Sequence, residues 1–198
     1  MTLDAAPKMH SPRREELLER GYAYVLERGI SDLSLRPLAA AIDSSPRVLL
    51  FLFGSKEGLL GALLDRARLD EVELLDRVRA APGEGDLPAV AAELWHWLAS
   101  DRHRGLLTLW VESYARSLVE RSGPWGEFAA RTVEDWLELL AGAQPRRRRR
   151  SAQGAAERTL VLAILRGAML DLLATRDRRR TTAAVGYALD RLGERKLV

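Results

Sequence analysis

Residues 33–64 read LSLRPLAAAIDSSPRVLLFLFGSKEGLLGALL, and the pattern of this stretch gives the strongest indication of the fold. It contains two short helical segments, one beginning after Ser34 and one after Ser45. Serine is a favoured N-cap, and each segment carries a proline within its first turn, where the missing N–H costs little. The turn Asp43-Ser44 separates the segments, and a longer amphipathic segment precedes them. Two short helices behind a supporting helix predict a helix-turn-helix, whose second helix enters the major groove of DNA.

The second short segment also permits another interpretation. Six consecutive apolar residues at 48–53 are compatible with a buried strand as well as a helix. The Ser-Pro opening favours a helix, and the sequence offers no second strand-like run that could pair with a strand here. We therefore predict a helix that ends before Gly54.

The composition excludes several classes of protein. The chain has 198 residues, 47% of them hydrophobic and 30% charged, which is typical of a globular protein with a real core. It has no cysteine, which rules out disulfides, thiolate zinc sites and cysteine nucleophiles and fits a reducing cytosol. The most apolar late stretch is interrupted by Arg166 and Asp171, and the N-terminal residues carry no signal-like apolar run. We expect a cytoplasmic protein with no membrane segment.

Helical periodicity continues along the rest of the chain. A long helix is expected from Ser55 to about residue 80, and five further helices follow. Their approximate ranges are 87–99, 104–120, 125–141, 152–175 and 179–193. The sequence thus predicts an all-α chain of about nine helices, divided near residue 56.

The helix expected at 152–175 has apolar residues on two faces, and one core cannot bury both. This pattern implies an external partner, and the last helix has small and apolar residues that could pack beside it. The interface expected from the two helices, in a two-fold dimer, consists of Leu160, Ala163, Gly167, Leu170, Gly186 and Leu189.

Three short motifs carry a resemblance to a known family. They are Leu38-Ala39, Ser45-Pro46 and the run FGSKEGLL at 53–60. With them the chain resembles the TetR (tetracycline-repressor) family of bacterial transcription regulators, and the likeness extends to its length and helical layout. The resemblance implies a helix-turn-helix domain over residues 1–56 and a helical ligand-binding and dimerisation domain over residues 57–198. It further implies a homodimer that represses from a palindromic double-stranded DNA operator and is released by a small hydrophobic effector.

The resemblance also implies positions for the DNA contacts. Arg47 would begin the recognition helix, and Lys56 would hold a phosphate at the start of the long helix, where free N–H groups favour anions. Arg36 and Arg47 are the side chains here that can bind a guanine edge bidentately. The expected DNA-binding surface consists of Ser34, Arg36, Ser45, Arg47, Leu50, Phe51 and Lys56.

Departures from the family pattern leave an alternative open. The tyrosine and histidine usual in the recognition helix are replaced by apolar residues, and Asp43 stands where the turn glycine is usual. Residues 1–60 also carry equal numbers of basic and acidic side chains. The alternative is a helical small-molecule-binding or protein-interaction module with a weakly DNA-binding head.

Aromatic residues beyond residue 90, among them all five tryptophans, predict a ligand cavity. Some of them pack the core instead, and periodicity does not separate the two groups. The expected lining is drawn from Trp95, His96, Trp110, Glu112, Tyr114, Arg116, Trp125, Phe128, Trp136 and Met169. Polar selection would fall to Glu112, Arg116 or His96. We expect no metal, no cofactor and no catalytic residues, because the sequence shows no enzyme motif and only three histidines.

The run Arg146 to Arg150 has two possible roles. It could grip nucleic acid, but its place between two helices far from the reading head favours a solvated, mobile loop.

Overall fold

The computed structural model describes residues 11–80, 86–120 and 122–194. Within these ranges the chain forms ten α-helices and two 3₁₀ turns, with no β-strand. The helices are α1 (Pro12–Arg28), α2 (Leu35–Ala41), α3 (Pro46–Phe53), α4 (Lys56–Ala80), α5 (Leu87–Leu98), α6 (Arg104–Val119), α7 (Phe128–Gly142), α8 (Arg146–Arg149), α9 (Ala152–Thr175) and α10 (Arg178–Glu194). The all-α prediction is confirmed. The break expected at residues 81–85 lies outside the described residues.

Serine side chains cap α1 and α3, whereas Ser34, which precedes α2 as predicted, forms no cap hydrogen bond through its side chain. The hydroxyl of Ser11 accepts from the N–H of Arg14 at 3.2 Å, and that of Ser45 accepts from Val48 at 3.3 Å. Each side chain satisfies one of the N–H groups that a helix leaves without an internal partner. Asp43, in the turn between α2 and α3, has a φ of 52°, the left-handed geometry that aspartate tolerates better than most residues.

Helices α1 to α3 and the first half of α4 enclose one hydrophobic core. Leu17, Val25, Leu38, Leu49 and Leu63 are almost fully buried there. This head core extends along α4 as far as Ala67, so α4 belongs structurally to both parts of the molecule.

A polar cluster fastens α1 to α4 beside the head core. The hydroxyl of Tyr22 donates to Asp70 at 2.7 Å, and Arg66 lies over the Tyr22 ring at 4.7 Å. Arg66 also donates to Glu19 and Asp70. The pKa of Tyr22 is raised because burial and the Asp70 carboxylate disfavour the phenolate.

The second core lies among α5, α6, α7, α9 and α10. Helix α10 packs on α5 and α9, where the indole of Trp95 donates to the hydroxyl of Thr182 at 3.0 Å. Leu189 faces this core and is only 5% exposed. Its assignment to a dimer interface is wrong, because α10 turns Val185 and Leu189 inward and leaves Gly186 outside.

Two side chains of the arginine run contact the neighbouring helices α7 and α9. Arg149 donates to the carbonyls of Ala141 and Gly142 at 2.8 and 3.0 Å, and Arg148 forms an ion pair with Glu157 at 2.8 Å. These bonds satisfy carbonyls at the end of α7, a common role for a basic side chain near a helix C-terminus. Residues 146–149 form one helical turn in place of the expected loop, and the run is exposed except for the half-buried Arg148, as expected of a solvated segment.

Across the described ranges, no helix is long and apolar enough to cross a membrane.

Candidate DNA-binding surface and effector pocket

Helix α3 buries one side in the head and presents the other outward. Leu49 and Phe53 are buried, whereas Arg47, Val48, Leu50 and Phe51 are exposed, Phe51 to 64%. The outer side of the predicted recognition helix is thus mainly apolar. Such a face can contact thymine methyl groups, but Arg47 is its source of hydrogen-bond donors for guanine.

The other expected DNA contacts lie at neighbouring helix starts. Ser34 precedes α2, Arg36 lies in its first turn and Lys56 is the first residue of α4; all three are exposed. Ser45 is half-buried and its hydroxyl is occupied as the cap of α3. Helix N-termini offer N–H groups and a positive dipole end to phosphate, so this arrangement suits the DNA backbone.

Asp43 places a negative charge beside this surface. Its side chain is 91% exposed, and a guanidinium nitrogen of Arg20 lies 3.6 Å from its carboxylate. Arg20 also pairs with Glu16 at 2.8 Å. The positive charge of Arg20 therefore offsets only part of the repulsion that Asp43 exerts on a phosphate.

A pocket of about 290 Å³ lies between α6 and α9. Its walls are formed by Trp110, Val111, Tyr114, Ala115, Leu118, Arg166, Met169 and Leu170. The volume is close to the lower end for ligand pockets, about 300 Å³. Three residues of the expected lining, Trp110, Tyr114 and Met169, come together here.

Arg166 is the charged residue in the wall of this pocket. Its guanidinium lies 5.5 Å from the ring centre of Trp110 and 5.0 Å from that of Tyr114, within cation–π range. One nitrogen donates to the Tyr114 hydroxyl at 3.3 Å, while Nε and Nη2 are buried with no hydrogen-bond partner among the described residues. Burial lowers the pKa of Arg166, which shows how poorly solvated its charge is.

A small chamber of about 20 Å³ shares Trp110 with this pocket. It is lined by Ala67, Glu71, Trp97, Leu98, Leu106, Leu107, Trp110 and Trp136. The Trp136 indole donates to one Glu71 oxygen at 2.5 Å, and the rings of Trp110 and Trp136 lie 6.1 Å apart. Trp110 therefore forms a wall common to the chamber and the pocket.

Glu71 is 6% exposed and its second oxygen, Oε2, lacks a hydrogen-bond partner in the described chain. Burial raises its pKa; the Trp136 hydrogen bond and the charges of Arg68 and Arg166 oppose that rise, and Asp135 adds to it. Glu71 and Arg166 were not among the site residues expected from the sequence, whereas Trp97 belongs to the aromatic set from which the cavity was predicted. The available signal for Glu71 was its position four residues after Ala67, on the buried stripe of α4.

The remaining residues of the expected lining lie elsewhere. Trp95 packs against α10, and Trp125 and Phe128 pack with the head core. His96 is exposed. The structure thus divides the aromatic set between the pocket, the chamber and ordinary core packing.

Glu112 and Arg116 join α6 to the head, so the structure does not bring them to the pocket. One Glu112 oxygen accepts from the N–H of Ile30 at 2.7 Å and from that of Ser31 at 3.3 Å. Arg116 donates to the carbonyl of Ser31 at 3.0 Å. A Cβ on Gly29, whose φ is 82°, would lie 2.7 Å from Glu112, so this close contact requires glycine. We call these contacts between α6 and residues 29–31 the α6 latch.

The outer face of α9 agrees with the pattern expected for a partner helix. Leu160 and Leu170 are 47% and 49% exposed, and Ala163 and Gly167 lie exposed between them. A Cβ on Gly167 would meet no atom of the described chain within 4 Å. This face is open and apolar along about ten residues of helix.

Comparison with known proteins gives structural neighbours. No family model matches the sequence. No curated protein matches it either. A TetR transcription regulator from Haloarcula marismortui is 17% identical, with a TM-score of 0.71 over 91% of this chain and 96% of that chain.

Two further neighbours are a multidrug binding protein and the repressor of a multidrug efflux pump. The multidrug binding protein EbrR, complexed with imidazole, is 26% identical, with a TM-score of 0.63 over 93% of this chain and 94% of that chain. SmeT, the repressor of the Stenotrophomonas maltophilia multidrug efflux pump SmeDEF, is 19% identical, with a TM-score of 0.62 over 93% and 90%. Together with the helix-turn-helix head and the helical body, these likenesses show that the chain has the fold of the TetR-family transcriptional regulators.

Proposed function

We propose that this chain is a ligand-responsive transcription regulator of the TetR family that works as a homodimer. Its head, residues 1–56, reads a palindromic operator, and its body, residues 57–198, binds a small hydrophobic effector and dimerises. The observation that carries the proposal is the position of α6. One side of this helix lines the pocket with Trp110 and Tyr114, and another side holds the head through Glu112.

Arg36 and Arg47 are the proposed readers of bases, and Lys56 the proposed phosphate contact. All three are exposed and lie in the first turns of α2, α3 and α4. The apolar side chains of α3 would add contacts with thymine methyl groups, and DNA shape would supply the rest of the specificity.

The exposed face of α9 is the proposed dimer contact. Leu160, Ala163, Gly167 and Leu170 lie at spacings of three and four residues, which places them along one side of the helix. Small residues at its centre permit close approach of a second copy. A dimer built on this face gives two heads related by a two-fold axis, as a palindromic operator requires.

Two helices provide the proposed path from effector to DNA. Helix α4 carries Lys56 at the DNA end and Glu71 in the chamber wall, about 22 Å further along the helix axis. Helix α6 carries the pocket wall and the α6 latch. An effector that repositions either helix therefore moves the head, and the proposed result is release of the operator.

The ligands of one neighbour support a small aromatic effector. EbrR has been solved with proflavin and with ethidium, both polycyclic and aromatic. The pocket of the present chain is walled by tryptophan, tyrosine and aliphatic side chains, which suit such molecules.

DNA titration tests the proposal. The DNA upstream of the chain's own coding sequence, and random DNA of equal length, are titrated at two salt concentrations. We expect Arg36→Ala and Arg47→Ala to cost about 1–3 kcal/mol on the specific DNA and to relax specificity. Lys56→Ala should weaken binding to both DNAs and reduce the salt slope by about one.

Arg102→Ala is the matched control, because Arg102 is an exposed arginine of the body. Unchanged binding by all three head variants would contradict the proposed DNA surface.

A second candidate function is a binding module whose head has lost its DNA affinity. The exposed apolar residues Val48, Leu50 and Phe51 favour it. Equal, weak binding to upstream and random DNA by the unaltered chain, together with tight binding of an aromatic ligand, would select this alternative.

A further inference from the structure

The aromatic residues beside the pocket form a continuous set that links the buried charge of Glu71 to the half-buried charge of Arg166. Trp136 hydrogen-bonds Glu71, the ring of Trp110 lies 6.1 Å from that of Trp136, and the ring of Tyr114 lies 5.9 Å from that of Trp110. Arg166 covers the Trp110 and Tyr114 rings from the pocket side. Glu71 and Arg166 therefore lie at opposite ends of one aromatic cluster.

Neither charge is well satisfied. Glu71 has one buried oxygen without a hydrogen-bond partner, and no described cation lies within ion-pair distance of it. Arg166 has two buried nitrogens in the same condition and a single hydrogen bond of 3.3 Å. Each acts on the other's pKa, so their charges interact without touching. Burying charges in this way is costly unless something else compensates them.

The guanidinium of Arg166 is itself a planar, delocalised cation that lies within cation–π distance of two aromatic rings. It therefore marks the place that a planar organic cation would take. An incoming cation of this kind would stack on Trp110 and Tyr114 in place of the guanidinium. Trp110 lines both the pocket of about 290 Å³ and the chamber of about 20 Å³, and Glu71 lines the chamber.

We propose that the cluster of Trp110, Tyr114 and Trp136 binds planar aromatic cations, that Glu71 supplies the counter-charge, and that Arg166 occupies the site until such a cation displaces it. This inference deepens the proposed function and rests on it, because it names the chemical class of the effector. An anionic aromatic ligand would instead be drawn to Arg166 and repelled by Glu71.

The test compares two dyes of opposite charge on the full chain without DNA. Proflavin is the planar cation and anilinonaphthalene sulfonate is the aromatic anion, and binding is followed by tryptophan fluorescence and calorimetry. Glu71→Gln should weaken proflavin binding by about tenfold or more, because it removes a buried counter-charge. Arg166→Met should tighten proflavin binding by about two- to fivefold, because it removes the competing cation.

Glu93→Gln is the control for charge loss, since Glu93 is exposed on α5. The anionic dye should respond with the opposite signs, weaker with Arg166→Met and no weaker with Glu71→Gln. Circular dichroism and thermal melts establish that each variant is folded, and the opposite directions expected of two variants cannot arise from a general loss of structure.

Three results would overturn the inference: no proflavin binding by the unaltered chain, unchanged proflavin binding by Glu71→Gln, or weaker proflavin binding by Arg166→Met. Operator titration of the same proteins without dye distinguishes failure of this inference from failure of the proposed function. If the expected dye effects are absent but operator binding is intact, only the proposed class of ligand is contradicted. Intact dye effects without any operator binding support the ligand class and contradict the regulator.

Discussion

The α6 latch predicts a coupled loss of stability and regulation in Glu112→Ala. This substitution removes the carboxylate that accepts from the N–H groups of Ile30 and Ser31, 82 and 81 residues away in sequence. Ile30 is 1% exposed, so its N–H has little access to water as a replacement partner. The head would then lose its main polar attachment to the helix that lines the pocket.

The size of the effect follows from these bonds. A buried N–H left without a partner costs about 1–3 kcal/mol, and hydrogen bonds to charged groups contribute about 1.5–3 kcal/mol. We expect a loss of about 2 kcal/mol in the free energy of unfolding. For a chain of this length, that corresponds to a fall of roughly 4–8 °C in the melting temperature.

The regulatory effect is measured as the ratio of operator affinities without and with saturating proflavin. Couplings of this kind are typically about 5–150-fold. In Glu112→Ala the ratio should fall towards one while operator affinity without dye changes little, because the DNA-facing residues are untouched. Calorimetry gives the melting temperature and fluorescence anisotropy gives the affinities.

Glu134→Ala, on the exposed side of α7, is the matched control and should change neither quantity. A Glu112→Ala chain with the melting temperature and the affinity ratio of the unaltered protein would refute the latch.

Three other substitutions test separate parts of the account. Gly167→Arg should yield monomers by light scattering with little loss of stability, since open space surrounds this glycine in the described chain. Gly142→Arg, at an equally open position, is the control and should leave the dimer intact. A Gly167→Arg chain that remains dimeric would show that the dimer interface does not include this face of α9. Gly58→Ala should cost about 1–3 kcal/mol and weaken operator binding, because its Cβ would overlap the carbonyl oxygen of Phe53 at the end of α3. Gly61→Ala, whose Cβ would meet Pro124 at 3.8 Å, is the tolerated control in the same melts and titrations. The folded-state pKa of Glu71 lies above its ordinary value of 4.5, so the folded state binds a proton that the unfolded state has released, and stability falls as pH rises from about 4.5 through the folded pKa. Denaturation from pH 4 to 8 should therefore show Glu71→Gln gaining stability relative to the unaltered chain as pH rises. A stability difference between the two proteins that does not change with pH would count against burial of this carboxyl group.

Local chemistry made the head predictable from sequence. The serine caps of α1 and α3 depend on residues three positions apart, and the left-handed Asp43 on one residue. The open face of α9 was predictable for a similar reason, because Leu160, Ala163, Gly167 and Leu170 repeat at helical spacing. Where a feature depends on neighbours within one turn of helix, the sequence contains the information needed.

The features that sequence did not reveal depend on contacts between distant segments. The spacing of Glu112 and Arg116 in an apolar segment fits a pocket wall, and only the packing of α1 on α6 directs them to the head. Arg149 is exposed, as its sequence context suggests, but its hydrogen bonds to carbonyl groups at the end of α7 depend on packing that the sequence does not show. Leu189 lies three residues from Gly186, and helix rotation alone decides which of the two faces the core.

A reciprocal titration shows whether a ligand bound to the body changes the affinity of the head for DNA. Operator affinity is measured without and with saturating proflavin, and proflavin affinity is measured without and with saturating operator. Linkage requires both ratios to be the same factor. We predict a common factor of about five or more, with each ligand weakening the other. Ratios of one in both titrations, with both ligands bound, would contradict the account.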